Sequence, residues 1–171
     1  SSDVCSSDLK KGMKYLKYQG PAALWNKTVS KVKTVSTREI PYSKWIERHL
    51  PTKGELEKER RTKFDFQPMI SIVVPAYKTP EKYLRRLAEC VKEQTYPNWQ
   101  LCISDGSGAN SPIRKLLQEL AAQDERIKVV FSEKPLQISE NTNQALAVAQ
   151  GDFIAFADHD DELTPHALFS C

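Results

Sequence analysis

From Met69 onward the chain alternates between two kinds of segment, and this alternation constrains the fold more than any other feature. Met69 to Val74, Trp99 to Ser104, Ile127 to Phe131 and Phe153 to Ala157 are short apolar or β-branched runs. Such runs are the pattern of strands buried on both faces. Between them, Leu84, Leu87, Ala88 and Val91 recur at i, i+3, i+4 and i+7, and Ile113, Leu116, Leu117 and Leu120 repeat the spacing. Ser139 to Ala149 reads as a third helix closed by Gly151, while Thr79-Pro80, Ser111-Pro112 and Thr164-Pro165 read as helix starts. Strict strand–helix alternation predicts an α/β fold with a doubly wound, mainly parallel sheet and right-handed crossovers.

The segments before Met69 differ in kind. Residues 1–9 hold Ser-Ser-Asp twice and resemble translated adapter DNA more than protein, so they are set aside. Residues 10–67 read as a basic helical extension and residues 68–171 as the α/β domain. Lys10 to Arg38 contains eight Lys or Arg and no acidic residue, so the net charge of +3 belongs to this arm. Gly20-Pro21 divides the arm into two short helical stretches. Tyr42 to Leu50 reads as a short helix, and Thr52 with Glu55 forms a capping box opening a charged helix to about Lys63. No apolar run approaches the roughly 20 residues that cross a bilayer. Cys90, Cys102 and Cys171 lie in no Cys-x-x-Cys pattern, which points to reduced thiols in a cytoplasmic setting, not a disulfide framework or zinc site.

Three loops carry the chemistry, and all three are expected at the carboxyl edge of the sheet. Pro75-Ala76-Tyr77 ends the first strand and offers a flat ring at the edge. Asp105-Gly106-Ser107-Gly108 ends the second; its glycines allow backbone to approach a ligand, and Asp105 can accept N–H or O–H groups. Taken alone, this loop reads first as a simple Asp-Gly turn and only second as a binding loop. Asp158-His159-Asp160-Asp161 follows the fourth strand. Carboxylates crowded at the end of a buried strand repel one another, and a hard divalent cation relieves that cost. The bland reading of the tetrad is an acidic cap on the following helix. If the segment stays extended, His159 faces away from the Asp pair and plays a structural part.

In this order the motifs resemble glycosyltransferase family 2, inverting enzymes of the GT-A fold that use nucleotide sugars. Ile70 to Tyr77 resembles the family's first strand and nucleotide-contacting turn, and Gln94-Thr95-Tyr96-Pro97-Asn98-Trp99 the segment leading into strand two. Asp105-Gly106-Ser107 resembles its Asp-Asp-Gly-Ser loop, with Ser104 in place of the first Asp. Asn143 stands where the family has the Asn of an Arg-Asn pair, with Thr142 in the Arg place. Asp158-His159-Asp160 resembles the Asp-x-Asp metal motif, and Asp-His-Asp-Asp-Glu-Leu is typical of members that build bacterial surface polysaccharides. The helix at Lys44-Trp45-Ile46-Glu47 is similar to that subgroup's N-terminal extension.

The resemblance implies a Rossmann-like GT-A nucleotide-sugar-binding half in which Pro75, Ala76, Tyr77, Asp105, Ser107, Asn143 and Asp158 contact the donor. It implies Mn²⁺ or Mg²⁺ on Asp158 and Asp160, and a catalytic base and acceptor site beyond Cys171. The implied donor is a nucleoside-diphosphate sugar, with UDP first, and the acceptor a glycan or lipid-linked glycan. A donor-binding fragment without the base is the main alternative. A sugar-nucleotide nucleotidyltransferase ranks below it, for want of a Gly-rich triphosphate loop after strand one. For the basic arm, peripheral contact with an anionic membrane at the inner face of the plasma membrane is favoured over nucleic acid, beside a simple solvated arm.

Overall fold

The computed structural model describes residues 40–171. The expectations for the adapter-like stretch, for two short helices in the basic arm and for its membrane contact fall on residues outside those described. The chain divides into two units, Ser1–Leu50 and Pro51–Cys171. In the first, helix α1 spans Tyr42–His49, where the ring of His49 stacks on Trp45 with centroids 4.2 Å apart. The second begins with α2, Lys53–Arg61. The expected capping box is present: Glu55 N–H donates to Thr52 Oγ1 at 3.3 Å, and Thr52 N–H donates to Glu55 Oε2 at 2.7 Å. These bonds to Thr52 hold the Glu55 carboxyl below the usual carboxylate range.

The alternation then builds the sheet: β1 Ile70–Ala76, α3 Glu81–Lys92, β2 Trp99–Asp105, α4 Arg114–Gln123, β3 Ile127–Phe131, α5 Ile138–Leu146 and β4 Phe153–Phe156. The spatial order is β3-β2-β1-β4 and every pairing is parallel. Helices α3 and α4 cover one face, joining Ile72, Val74, Leu101, Ile103 and Ile127 to their own leucines. Across the sheet, Val73 and Cys102 pack on Ala145 of α5. With both faces covered, all seven residues of β1 and of β2 are buried, which is why those runs are mostly apolar. The register pairs Ala76 with Asp105 and Asp105 with Phe131, so three strands end level. The chain winds from β1 out to β3 and returns to the opposite side of β1 at β4. That reversal makes the crevice between β1 and β4 the place where such sheets take ligands.

Several local expectations change. Strand β4 is expected to be buried, yet Phe153 is 58% exposed and Phe156 69%, because β1 is its one strand partner among the described residues. Pro80 is the N-cap of α3 and not its first helical residue, and the buried Thr79 hydroxyl has no partner among the described residues instead of capping. Lys78, at φ 47°, sets the turn that delays the helix. Ser111 Oγ accepts from Ile113 N–H at 3.3 Å within a turn, so α4 begins at Arg114. Gln137 and Glu140 form the capping box of α5. That helix stops at Leu146, and Gly151 does not cap it: its N–H donates to Ser71 Oγ at 2.8 Å. A Cβ there would lie 2.6 Å from the Met69 carbonyl, so only glycine lets the chain pass this close to β1. Residues 165–169 form turns and not a helix.

Candidate functional site

The site is organised by one atom. The carbonyl oxygen of Ala76, last residue of β1, accepts from Gly106 N–H at 2.9 Å and from Asn141 Nδ2 at 2.9 Å. Strand β1, the turn after β2 and the first turn of α5 therefore meet at a single acceptor. Gly106 is held in contact with the Asn141 amide: a Cβ there would sit 2.7 Å from Asn141 Cγ. Leu136 N–H donates to the Gly106 carbonyl at 3.0 Å, drawing in the segment that leads to α5. Ser107 Oγ accepts from Lys78 N–H at 2.8 Å and ties the first loop to the second. Gly108 takes φ 91°, a left-handed value suited to glycine, where the turn runs beside Pro135.

Asp105 is 1% exposed. Its Oδ1 accepts from Ser107 N–H at 3.0 Å, while Oδ2 has no partner among the described residues. Asn141, 2% exposed, likewise leaves Oδ1 without one. Two unsatisfied acceptors flanking one glycine at the sheet edge are costly, and such a cost is characteristic of a site built for something other than stability.

The acidic tetrad is a turn and not an extended strand. Asp161 N–H donates to the Asp158 carbonyl at 3.2 Å, and Asp158 N–H donates to Asp161 Oδ2 at 3.0 Å. Strand alternation therefore does not govern His159. The turn occupies Asp161, whereas the carboxylates of Asp158 and Asp160 are exposed and make no hydrogen bond among the described residues. Glu162 Oε2 accepts from Arg86 Nε at 2.9 Å, which raises the Arg86 pKa above its ordinary value.

Pro75, Ala76, Asp105 and Ser107 are brought together as buried strand-end residues, with Tyr77 exposed beside them. Asn143 is exposed on α5; Asn141, two residues earlier, is the amide that reaches the strand ends. A signal for it existed, since Asn141 precedes Ala145 and Val148 at i+4 and i+7 on the packed face. Ser104 Oγ donates to Gln144 Oε1 of α5 at 2.8 Å, and Thr142 Oγ1 donates to the Ile138 carbonyl one turn back at 2.8 Å.

Among the described residues no cluster of three His, Cys, Asp or Glu could hold a metal ion. Asp158 and Asp160 offer hard oxygen donors only. That set fits Mg²⁺ or Mn²⁺, which take one or two carboxylates and draw the rest of their shell from phosphate and water.

Residues 71–171 match Glycosyl transferase family 2. The chain is 28% identical over 127 residues to the O-antigen biosynthesis protein RfbC of Myxococcus xanthus, covering 74% of this chain and 10% of that protein. It is 33% identical over 98 residues to TuaG of Bacillus subtilis, a putative teichuronic acid biosynthesis glycosyltransferase, covering 57% of this chain and 38% of TuaG. Among solved structures, S. aureus TarS in complex with UDP-GlcNAc superposes with a TM-score of 0.53 at 25% identity, covering 60% of this chain and 29% of that one. The chain thus spans a tenth to under two fifths of the length of these relatives. A family match over more than half of the chain, on an all-parallel sheet in the order β3-β2-β1-β4, establishes that the chain belongs to glycosyl transferase family 2.

Proposed function

We propose that this domain binds the donor for an inverting transfer of sugar from a nucleoside diphosphate, UDP first, to a glycan or lipid-linked acceptor in surface-polysaccharide synthesis. The observation that carries the reading is the buried Asp105 carboxylate, one oxygen unpartnered, level with Ala76 at the ligand-binding edge. A carboxylate so placed accepts the ring N–H of a base, and uracil offers one such donor flanked by two carbonyls. Pro75 and Ala76 set the wall of this subsite, Ser107 fixes the loop, and the exposed Tyr77 ring offers a stacking face. The UDP and UDP-GlcNAc complexes of TarS support a uridine nucleotide.

Departure of the diphosphate concentrates negative charge beside the β4 loop. Asp160, with Asp158 beside it, would hold Mn²⁺ or Mg²⁺ there, and Asp158 is also suited to a ribose hydroxyl. When bound, the cation supplies Lewis-acid stabilisation of the leaving group. The base that deprotonates the acceptor hydroxyl is assigned to the length of the relatives that this chain does not cover. Peripheral contact of the basic arm Lys10–Arg38 with an anionic membrane belongs to the same reading.

Calorimetric titration of UDP, with and without Mn²⁺, tests the assignment on wild type and Asp160→Ala. Metal-dependent binding that disappears in the variant is the expected result. Binding that is absent from the folded protein, or indifferent to metal, overturns the metal–UDP assignment; dTDP and GDP titrations then decide the base.

A further inference from the structure

The acidic loop is held from outside itself. Its start is fixed where Ala157 N–H donates to the Val73 carbonyl at 3.2 Å, extending the β1–β4 ladder. Its far end is fixed by Gln94, two residues past α3 and 6% exposed. Gln94 Nε2 donates to the Thr164 carbonyl at 2.8 Å and to the Cys90 carbonyl at 3.1 Å, and Oε1 accepts from Leu168 N–H at 3.0 Å. Thr95 N–H donates to the Pro165 carbonyl at 2.7 Å directly alongside. The amide orientation follows from these partners, because the reverse would set an oxygen against two carbonyls. A buried primary amide that reads a donor and an acceptor three peptides apart acts as a staple on the segment that follows the tetrad. On the exposed side the Arg86–Glu162 pair is a second, weaker tie from α3.

Carboxylates that share a cation must be held within about half an ångström of their working geometry, and loops hold groups less well than helices or strands do. Asp158 and Asp160 sit on a turn with only its own bond to Asp161, so their placement depends on the two anchored ends. We propose that Gln94 is a positioning residue for the metal-binding carboxylates, with Arg86 its exposed counterpart. The inference rests on the assignment of Asp158 and Asp160 to the cation. Nothing in it requires Gln94 to touch metal or nucleotide.

The test reads Mn²⁺ directly. Free Mn²⁺ is measured by its electron paramagnetic resonance signal during titration of the 171-residue chain with saturating UDP, and UDP affinity without metal is measured in parallel. Gln94→Glu keeps the shape and the acceptor for Leu168 but turns an acceptor toward two carbonyls. It is expected to raise the Mn²⁺ midpoint about tenfold, the scale typical of lost outer-sphere support, while metal-free UDP affinity stays within about twofold. A lowered melting temperature with an unchanged Mn²⁺ midpoint overturns the inference, since that is the signature of a merely structural residue. If Gln94→Glu fails to fold, Arg86→Gln decides: a raised midpoint supports the inference and an unchanged one overturns it. Asp160→Ala separates the two levels. Wild type with no UDP-enhanced Mn²⁺ binding overturns both. Wild-type binding that is lost in Asp160→Ala but kept in the Gln94 and Arg86 variants overturns this inference alone.

Discussion

Asn141 donates its side-chain amide to the carbonyl of Ala76 at 2.9 Å, across 65 residues of sequence, and so ties α5 to the end of β1. Because the same carbonyl accepts from Gly106 N–H, the three elements that meet at this edge of the sheet cannot shift independently. The acceptors left over, Asp105 Oδ2 and Asn141 Oδ1, flank the glycine between them.

Gly106→Ala puts a methyl 2.7 Å from Asn141 Cγ, and overpacking of this kind costs about 1–3 kcal/mol. Denaturant unfolding is expected to show that loss, with UDP affinity falling about tenfold as the loop moves. Asn141→Ala alone loses a buried hydrogen bond worth about 1 kcal/mol. The double variant is expected to be more stable than the two single losses predict, because truncating Asn141 gives the new methyl room. A simple sum of the two losses would remove the contact from the explanation.

Stability and binding should move in opposite directions in Asp105→Asn. The variant keeps an oxygen for Ser107 N–H and removes a buried charge whose second oxygen lacks a partner. Thermal melting is expected to stay level or rise, by about 1 kcal/mol at most. Nucleotide affinity is expected to fall about 10- to 100-fold, the scale of a hydrogen bond to a charged group. Calorimetry with UDP checks it; unchanged affinity removes Asp105 from the base subsite.

Gly151→Ala tests the opposite end of the sheet. Its methyl would lie 2.6 Å from the Met69 carbonyl and 2.7 Å from Ser71 N, both backbone atoms that cannot swing away. A loss of about 2–3 kcal/mol or more is expected by urea titration, with UDP affinity of the folded fraction unchanged. The pairing of the two results separates fold from site.

Burial pushes the Cys102 thiol up to about 11 and raises that of Cys90, whereas Cys171 is exposed. A thiol with its pKa raised stays protonated and unreactive, so at pH 8 about one Cys102 in a thousand is thiolate. Iodoacetamide at pH 8, read by peptide mass, should label Cys171 and spare Cys90 and Cys102 until urea is added. The sign for stability follows: a neutral buried thiol favours the folded state less and less as pH rises from about 9, where the unfolded thiol ionises, to about 11.

Most of the fold was legible because its rules are local. Mostly apolar runs marked β1 and β2 because helices cover both faces, and the i, i+3, i+4 spacing named every buried leucine of α3 and α4. The segments at Pro75–Tyr77, Asp105–Gly108 and Asp158–Asp161 were legible from their chemistry, although Pro75 and Ala76 belong to β1 and Asp105 to β2. What escaped was rotation, exposure and support. Exposure of β4 depends on how many neighbours a strand has, which its residues do not encode. The staple at Gln94 joins positions 70 residues apart, and no local pattern marks such a pair.

The sequence by itself determined the order of strands and helices and the residue types that gather near the strand ends, because period and turn chemistry act within a few residues. Only the tertiary structure decided that Asn141 and not Asn143 meets Ala76, that the tetrad bends into a turn, and that Gln94 bonds the Thr164 carbonyl beyond it. The reason is geometric. Each helical residue turns the side chain by about 100°, so a two-residue shift faces the opposite way, and which direction faces the strand ends is set by packing across the sheet.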